Sequence, residues 1–137
     1  MMGKNPGKHG LFHFISFPKN SYDYTVNNAT KCRSKTMFRL ASEAGKRIIS
    51  INVPVTYPPE ELNGIVVSGM LSPRGRPFTY PTDLTKKLLD QGYEIDNWNE
   101  KFESAESHLD EIGRMSRKRT EASLKLLSGR TRGTLQC

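Results

Sequence analysis

Two β-branched runs constrain this chain more than any other feature. They are Ile48-Ile49-Ser50-Ile51-Asn52-Val53 and Ile65-Val66-Val67, with a proline-rich turn, Val55-Thr56-Tyr57-Pro58-Pro59, between them. The first run is too apolar for a strand with one wet face, the pattern of a largely buried parallel strand. A helix over residues 36–44 precedes it. Met37, Leu40, Ala41 and Ala44 fall there at i, i+3, i+4 and i+7, which predicts one apolar stripe. Ser34 or Thr36 can cap its start, and Gly45 is placed to end it. A helix, a glycine stop and a two-residue lead into an apolar strand form the αβ half of a crossover unit. The connection from Val53 to Gly64 is short for a helical crossover. Pro59-Glu60-Glu61-Leu62 can form one helical turn, and residues 64–70 read as the second strand.

The flanks are plainer. Asn5-Pro6-Gly7 is a turn signal. It opens onto Leu11, Phe12, Phe14, Ile15 and Phe17, read as one strand or buried turn entering the core. Residues 18–33 are polar and turn-rich, a surface loop; its sequon, Asn28-Ala29-Thr30, is a coincidence of pattern in a chain with no secretory signal. Residues 71–77 form a loop carrying Arg74 and Arg76. Thr82 caps a second helix, with Leu84, Leu88 and Leu89 on one face and Gly92 closing it. Residues 93–98 are the last β-like segment. From Asn99 the chain is amphipathic and helical, with Phe102, Ala105, Leu109, Ile112, Leu124 and Leu127 on its stripe and Gly113 interrupting it.

Charge excludes one function class. The chain of 137 residues carries a net charge of +7, but residues 1–50 hold nine Lys/Arg against two Asp/Glu, residues 51–112 five against eleven, and residues 113–137 seven against one. Two basic ends around an acidic middle do not make the single basic face of a dedicated nucleic-acid binder. Cys32 and Cys137 are the only cysteines and have no metal-ligand spacing or disulfide framework, which fits a reducing cytoplasm. No apolar run reaches the ~18 residues of a spanning helix, so no membrane association is expected.

No complete active site is visible. His9 and His13 share i, i+4 spacing, but Gly10 between them argues against one helix face, and no carboxylate stands at zinc-protease spacing. No Ser lies in a G-x-S-x-G elbow. Gly3, Gly7 and Gly10 around Lys4 and Lys8 do not match a phosphate-binding loop. Glu60-Glu61 read as a solvated helix start, and Arg117-Lys118-Arg119 as the wet face of the last helix.

Three stretches in series nevertheless resemble one family. They are Asn5-Pro6-Gly7-Lys8-His9-Gly10; then Ser42-Glu43-Ala44-Gly45-Lys46-Arg47 through Asn52-Val53-Pro54-Val55-Thr56-Tyr57-Pro58-Pro59; then Asn63-Gly64-Ile65-Val66-Val67-Ser68-Gly69-Met70-Leu71-Ser72-Pro73. Their order and spacing resemble the type I phosphodiesterase/nucleotide pyrophosphatase branch of the alkaline phosphatase superfamily. The resemblance covers roughly residues 3–98, and residues 119–127 more loosely. It implies an α/β/α sandwich with a mostly parallel sheet, and a phosphohydrolase with a zinc or other divalent metal pair and a Thr or Ser nucleophile. Family members place the nucleophile and one metal-binding Asp before the first stretch, and the remaining Asp and His ligands after the long helix. Neither set has a counterpart here. The His9-Gly10 pair matches a family turn, and that histidine is not a metal ligand. Where the nucleotide-processing branch has Asp-Asn, with the Asn on phosphate, this chain has His13 and Phe14.

The expectation is therefore a partial α/β core over residues 1–98, a helical segment over 99–129 of the same domain, and a disordered tail over 130–137. The fold would be incomplete at both ends, with nucleophile and metal ligands outside the chain and no cofactor bound by it. Because ligands in open α/β folds sit beyond the carboxyl ends of the strands, residues 54–59 would line the site. The substrate-edge candidates are Lys8, His9, Thr56, Tyr57, Arg74 and Arg76, and a phosphate-ester substrate is expected only in the complete enzyme. The alternative is a non-catalytic module whose basic loops, Lys4, Lys8, Arg74 and Arg76, hold an anionic ligand. Exposed sheet edges would favour self-association or loose packing.

Overall fold

The computed structural model of the chain describes residues 2–96 and 104–128. It is a mixed α/β chain with two sheets and a long C-terminal helix, and it divides into two units, Met1–Thr85 and Lys86–Cys137.

In the first unit the Asn5 side chain caps a four-residue helix, α1 (Pro6–His9), and Gly10 ends it at φ 80°. The following apolar run does not enter the core. Only Ile15–Ser16 forms a strand, β1, paired antiparallel to β2 (Thr25–Val26), while Phe12, Phe14 and Phe17 are 74%, 45% and 63% exposed. A ribbon of two two-residue strands has no second layer to bury aromatic rings against. The polar stretch expected as plain loop thus contributes a strand and a 3-10 turn at Ala29–Lys31. It also contributes a buried anchor, Asn27. This side chain donates to the His13 carbonyl at 2.6 Å and accepts from Ser16 Oγ at 2.7 Å and Lys31 Nζ at 2.8 Å.

Helix α2 (Met37–Glu43) starts on Thr36, whose Oγ1 accepts from the Arg39 amide at 3.1 Å, and gives way to Gly45 at φ 73°. Its covered side shares only Ala41 with the predicted stripe. Phe38 and Ala41 are half-buried, whereas Met37 and Leu40 are more than half exposed.

β3 (Ile48–Val53) and β4 (Gly64–Ser68) are parallel, in register from Ile48↔Gly64 to Ile51↔Val67. A bulge at Asn52, φ 55°, then shifts Val53 onto Ser68. Two glycines pin this pair. A Cβ on Gly64 would lie 1.9 Å from the Ile48 carbonyl oxygen, and one on Gly69 would lie 2.4 Å from that of Val53. Bare backbone is what lets the strands approach at both ends of β4.

β5 (Thr79–Tyr80) pairs antiparallel on the other side of β4, so the order is β3-β4-β5. The sheet is mixed, with one parallel and one antiparallel pair, rather than mostly parallel. Its centre is β4, where Val66, Val67 and Ser68 are buried. β3 lies at an edge, so of its six residues only Ser50 is buried, which corrects the expectation of a largely buried strand. Residues 59–62 form no helical turn; Leu62 is buried within irregular chain.

The boundary between units falls inside α3 (Leu84–Asp90), where Leu88 is buried and Leu89 exposed, so the predicted three-leucine face is not one face. Gly92 ends it at φ 74°. Residues 93–96 contain no strand, and the rest of the predicted β-like segment, Asn97 and Trp98, lies outside the described residues. α4 (Ala105–Ser128) runs through Gly113 without a break. One side is tied to residues 91–95: Arg114 meets Glu94 at 2.7 Å, Arg119 donates to the carbonyls of Glu94 and Ile95, and Lys125 donates to Gln91 at 3.2 Å. Met115 and Ala122 are buried, whereas the predicted stripe residues Leu109, Ile112, Leu124 and Leu127 are exposed. Phe102 and residues 130–137 lie outside the described residues. Among the described residues no helix is long and apolar enough to cross a membrane.

Candidate functional site

A cavity of about 320 Å³ opens in the first unit, bounded by Ser50 of β3, Val66 of β4 and the connection that leaves β3. Three segments wall it. Pro54, Val55, Thr56, Pro58, Pro59 and Glu60 come from the connection after β3, Ala29 to Thr36 supply the opposite rim, and Met2 and Leu11 come from the N-terminal segment. Phe38, Leu62 and Val66 line it with carbon. A volume at the lower end of the ligand-pocket range, mostly apolar with a few placed polar groups, suits one small organic group.

The wall is fixed by hydrogen bonds from a single residue. Thr56 Oγ1 donates to the Val53 carbonyl at 2.6 Å and accepts from the Gly69 amide at 3.2 Å, and the Thr56 carbonyl accepts from Ser68 Oγ at 3.0 Å. The Tyr57 carbonyl accepts from the Ala29 amide at 2.7 Å, joining this connection to the opposite rim. Glu60 is oriented from α2, accepting from Arg39 Nε at 2.7 Å and from Thr36 Oγ1 at 3.3 Å.

Two features of the wall run against its own stability. Val55 holds φ 61°, a left-handed conformation that a β-branched side chain disfavours. Ser50, 3% exposed, belongs to the lining, and its buried Oγ has no hydrogen-bond partner among the described residues. An unpaired buried hydroxyl and a strained backbone are each unfavourable, and such features gather where ligands bind. Cys32 also lines the cavity, its thiol donating to the Ser34 carbonyl at 3.1 Å.

Of the six substrate-edge candidates, the structure brings only Thr56 to the cavity lining. Tyr57 contributes its backbone alone. His9 Nδ1 accepts from the Leu11 amide at 3.1 Å and its carbonyl from the Arg33 amide at 3.0 Å, so His9 shapes the N-terminal turn. Lys8, Arg74 and Arg76 are exposed, and neither they nor Lys4 line the cavity. Ser50, Cys32, Thr36 and Glu60 were not among the candidates. Ser50 had a signal, as the small polar residue within an isoleucine run; the other three are brought in by loops that no periodicity describes.

Chemically, the cavity can hold an apolar group beside a few polar side chains. No histidine lines it, and its one carboxylate, Glu60, is engaged by Arg39. Among the described residues no group of three or more His, Cys, Asp or Glu could hold a metal ion, so these residues do not fit a metal pair. No family model matches the chain, and neither a curated protein nor a solved structure matches it.

Proposed function

We propose that this chain supplies part of a metal-dependent phosphohydrolase of the phosphodiesterase/nucleotide pyrophosphatase type, with an alkaline-phosphatase-like α/β/α fold. Its own share is to receive the organic group of the ester. Nucleophile and metal ligands lie outside its residues, so the chain alone does not turn over. The observation that carries this reading is the position of the cavity. It lies over the Ser50 and Val66 positions of a parallel strand pair and extends to the connection that leaves the carboxyl end of β3, the end at which α/β folds bind ligands. The three motif stretches in series supply the reaction class. The lining supplies the division of labour, because carbon and an already paired carboxylate suit an aryl or alkyl group rather than a phosphate.

The test uses purified chain, zinc and bis-p-nitrophenyl phosphate. The expected result is saturable amide shifts at Ser50, Val55 and Thr56 with no release of p-nitrophenol, and no such shifts with inorganic phosphate. Metal-dependent turnover abolished by substituting residues of this chain would overturn the reading. So would shifts with inorganic phosphate alone, centred on Lys8, Arg74 and Arg76, which is the behaviour of an anion-binding module.

A further inference from the structure

The exposed stripe of α4 has a symmetry independent of the cavity. Leu109 and Leu127 lie nine residues either side of position 118, Ile112 and Leu124 six, and Ser116 and Thr120 two. At about 100° per residue these six fall on one face. Leu109, Ile112, Leu124 and Leu127 are 67%, 37%, 61% and 48% exposed. Arg114 and Lys125, which bond residues 91–95, lie on the far side of the helix.

We propose that this face binds a second copy of the chain, with the two α4 helices antiparallel about a two-fold axis at residue 118. Leu109 of each copy then meets Leu127 of the other, Ile112 meets Leu124, and the small residues Ser116 and Thr120 meet where the helices cross. Small side chains at the crossing let the axes approach. The Thr120 hydroxyl is already satisfied by the Ser116 carbonyl at 2.9 Å, so its burial at the crossing leaves it paired.

Charge selects the antiparallel arrangement. Residues 105–112 contain three acidic residues and no Lys or Arg, whereas residues 113–128 contain five Lys/Arg and one Glu. A parallel pair would align like charges along its whole length; an antiparallel pair about residue 118 sets residues 108–112, with Asp110 and Glu111, against residues 124–128, with Lys125 and no acid, and opposes the helix dipoles. Arg117 and Glu121 flank the stripe on one side. The two-fold brings Arg117 of one copy within a helical turn of Glu121 of the other, and Leu-to-Leu contacts in this register are self-complementary, as a two-fold interface requires.

Sedimentation of the full chain under reducing conditions, so that Cys32 and Cys137 cannot cross-link copies, tests this. The expected result is a concentration-dependent monomer–dimer equilibrium. Leu124→Arg and, separately, Leu127→Arg raise its dissociation constant about tenfold or more with helical circular dichroism retained. Arg117→Glu weakens the dimer, and Arg117→Glu combined with Glu121→Arg restores it. A chain that stays monomeric, a dimer indifferent to both leucine substitutions (association through the β3 edge, for example), or a double variant that fails to restore pairing would each overturn the proposal.

Discussion

Ser68, fully buried at the end of β4, donates its hydroxyl to the Thr56 carbonyl at 3.0 Å, while Thr56 Oγ1 accepts from the next amide, Gly69, at 3.2 Å. The end of one strand thereby holds the connection that leaves the other. Thr56→Val keeps the shape of the side chain and removes the two Oγ1 bonds, leaving the Val53 carbonyl without its 2.6 Å donor, while the bond from Ser68 to the Thr56 carbonyl stays. The expected loss is about 1–2 kcal/mol, read from the urea midpoint, with Thr56→Ser close to the parent chain.

The glycines of the parallel pair separate two effects. Gly64→Ala would place a Cβ 1.9 Å from the Ile48 carbonyl oxygen, and no flexible side chain is there to give way. We predict a loss of about 3 kcal/mol or more. Gly45→Ala, at φ 73° with open space around the new Cβ, meets only the left-handed backbone penalty of about 1–2 kcal/mol. Equal losses by denaturant titration would show that close approach does not hold the strand pair.

Ser50 makes the opposite prediction. Its buried hydroxyl has no partner among the described residues, so Ser50→Ala should stabilise the ligand-free chain by up to about 1 kcal/mol. The same substitution should weaken binding of an ester in the cavity. Thermal melts with and without bis-p-nitrophenyl phosphate read both effects, and a destabilised, normally binding variant would remove Ser50 from the site.

How much of this was legible beforehand follows from what periodicity encodes. Thr36 as a cap, Gly45 as a stop and the two β-branched strands were readable, because each is a local preference of backbone or side chain. The face that α2 or α4 buries was not. Met37 and Leu40 join Ala41 in a stripe as readily as Phe38 does, and Leu109 and Leu124 make a more apolar one than Met115 and Ala122; only the tertiary partner decides. β5 was missed because two residues carry no period. For the site, the connection of residues 54–59 was legible from its place after a strand, and Thr56 with it. The basic candidates lie outside the cavity lining, and charge in a sequence marks solvated loops as readily as binding sites.

Tyr93 gives a pH dependence. Burial pushes its phenol above the ordinary value near 10, with the Arg119 charge partly opposing the shift. A folded-state pKa above the unfolded one means that the unfolded chain releases the proton first as pH rises. The Tyr93 contribution is therefore intact below pH ~10 and declines from there through the folded-state pKa. Tyr93→Phe should flatten this alkaline loss, measured as urea midpoint against pH. An unchanged slope would contradict the assignment.

The central claim, that the cavity after β3 takes the organic group of a phosphate ester, is tested most directly by where that group sits. Isotope-filtered nuclear Overhauser measurements on labelled chain with bis-p-nitrophenyl phosphate should connect the aryl protons to the methyl groups of Leu11, Leu62 and Val66, which line the cavity. Contacts confined to other surfaces, or none at ligand concentrations that saturate the amide shifts, would contradict it.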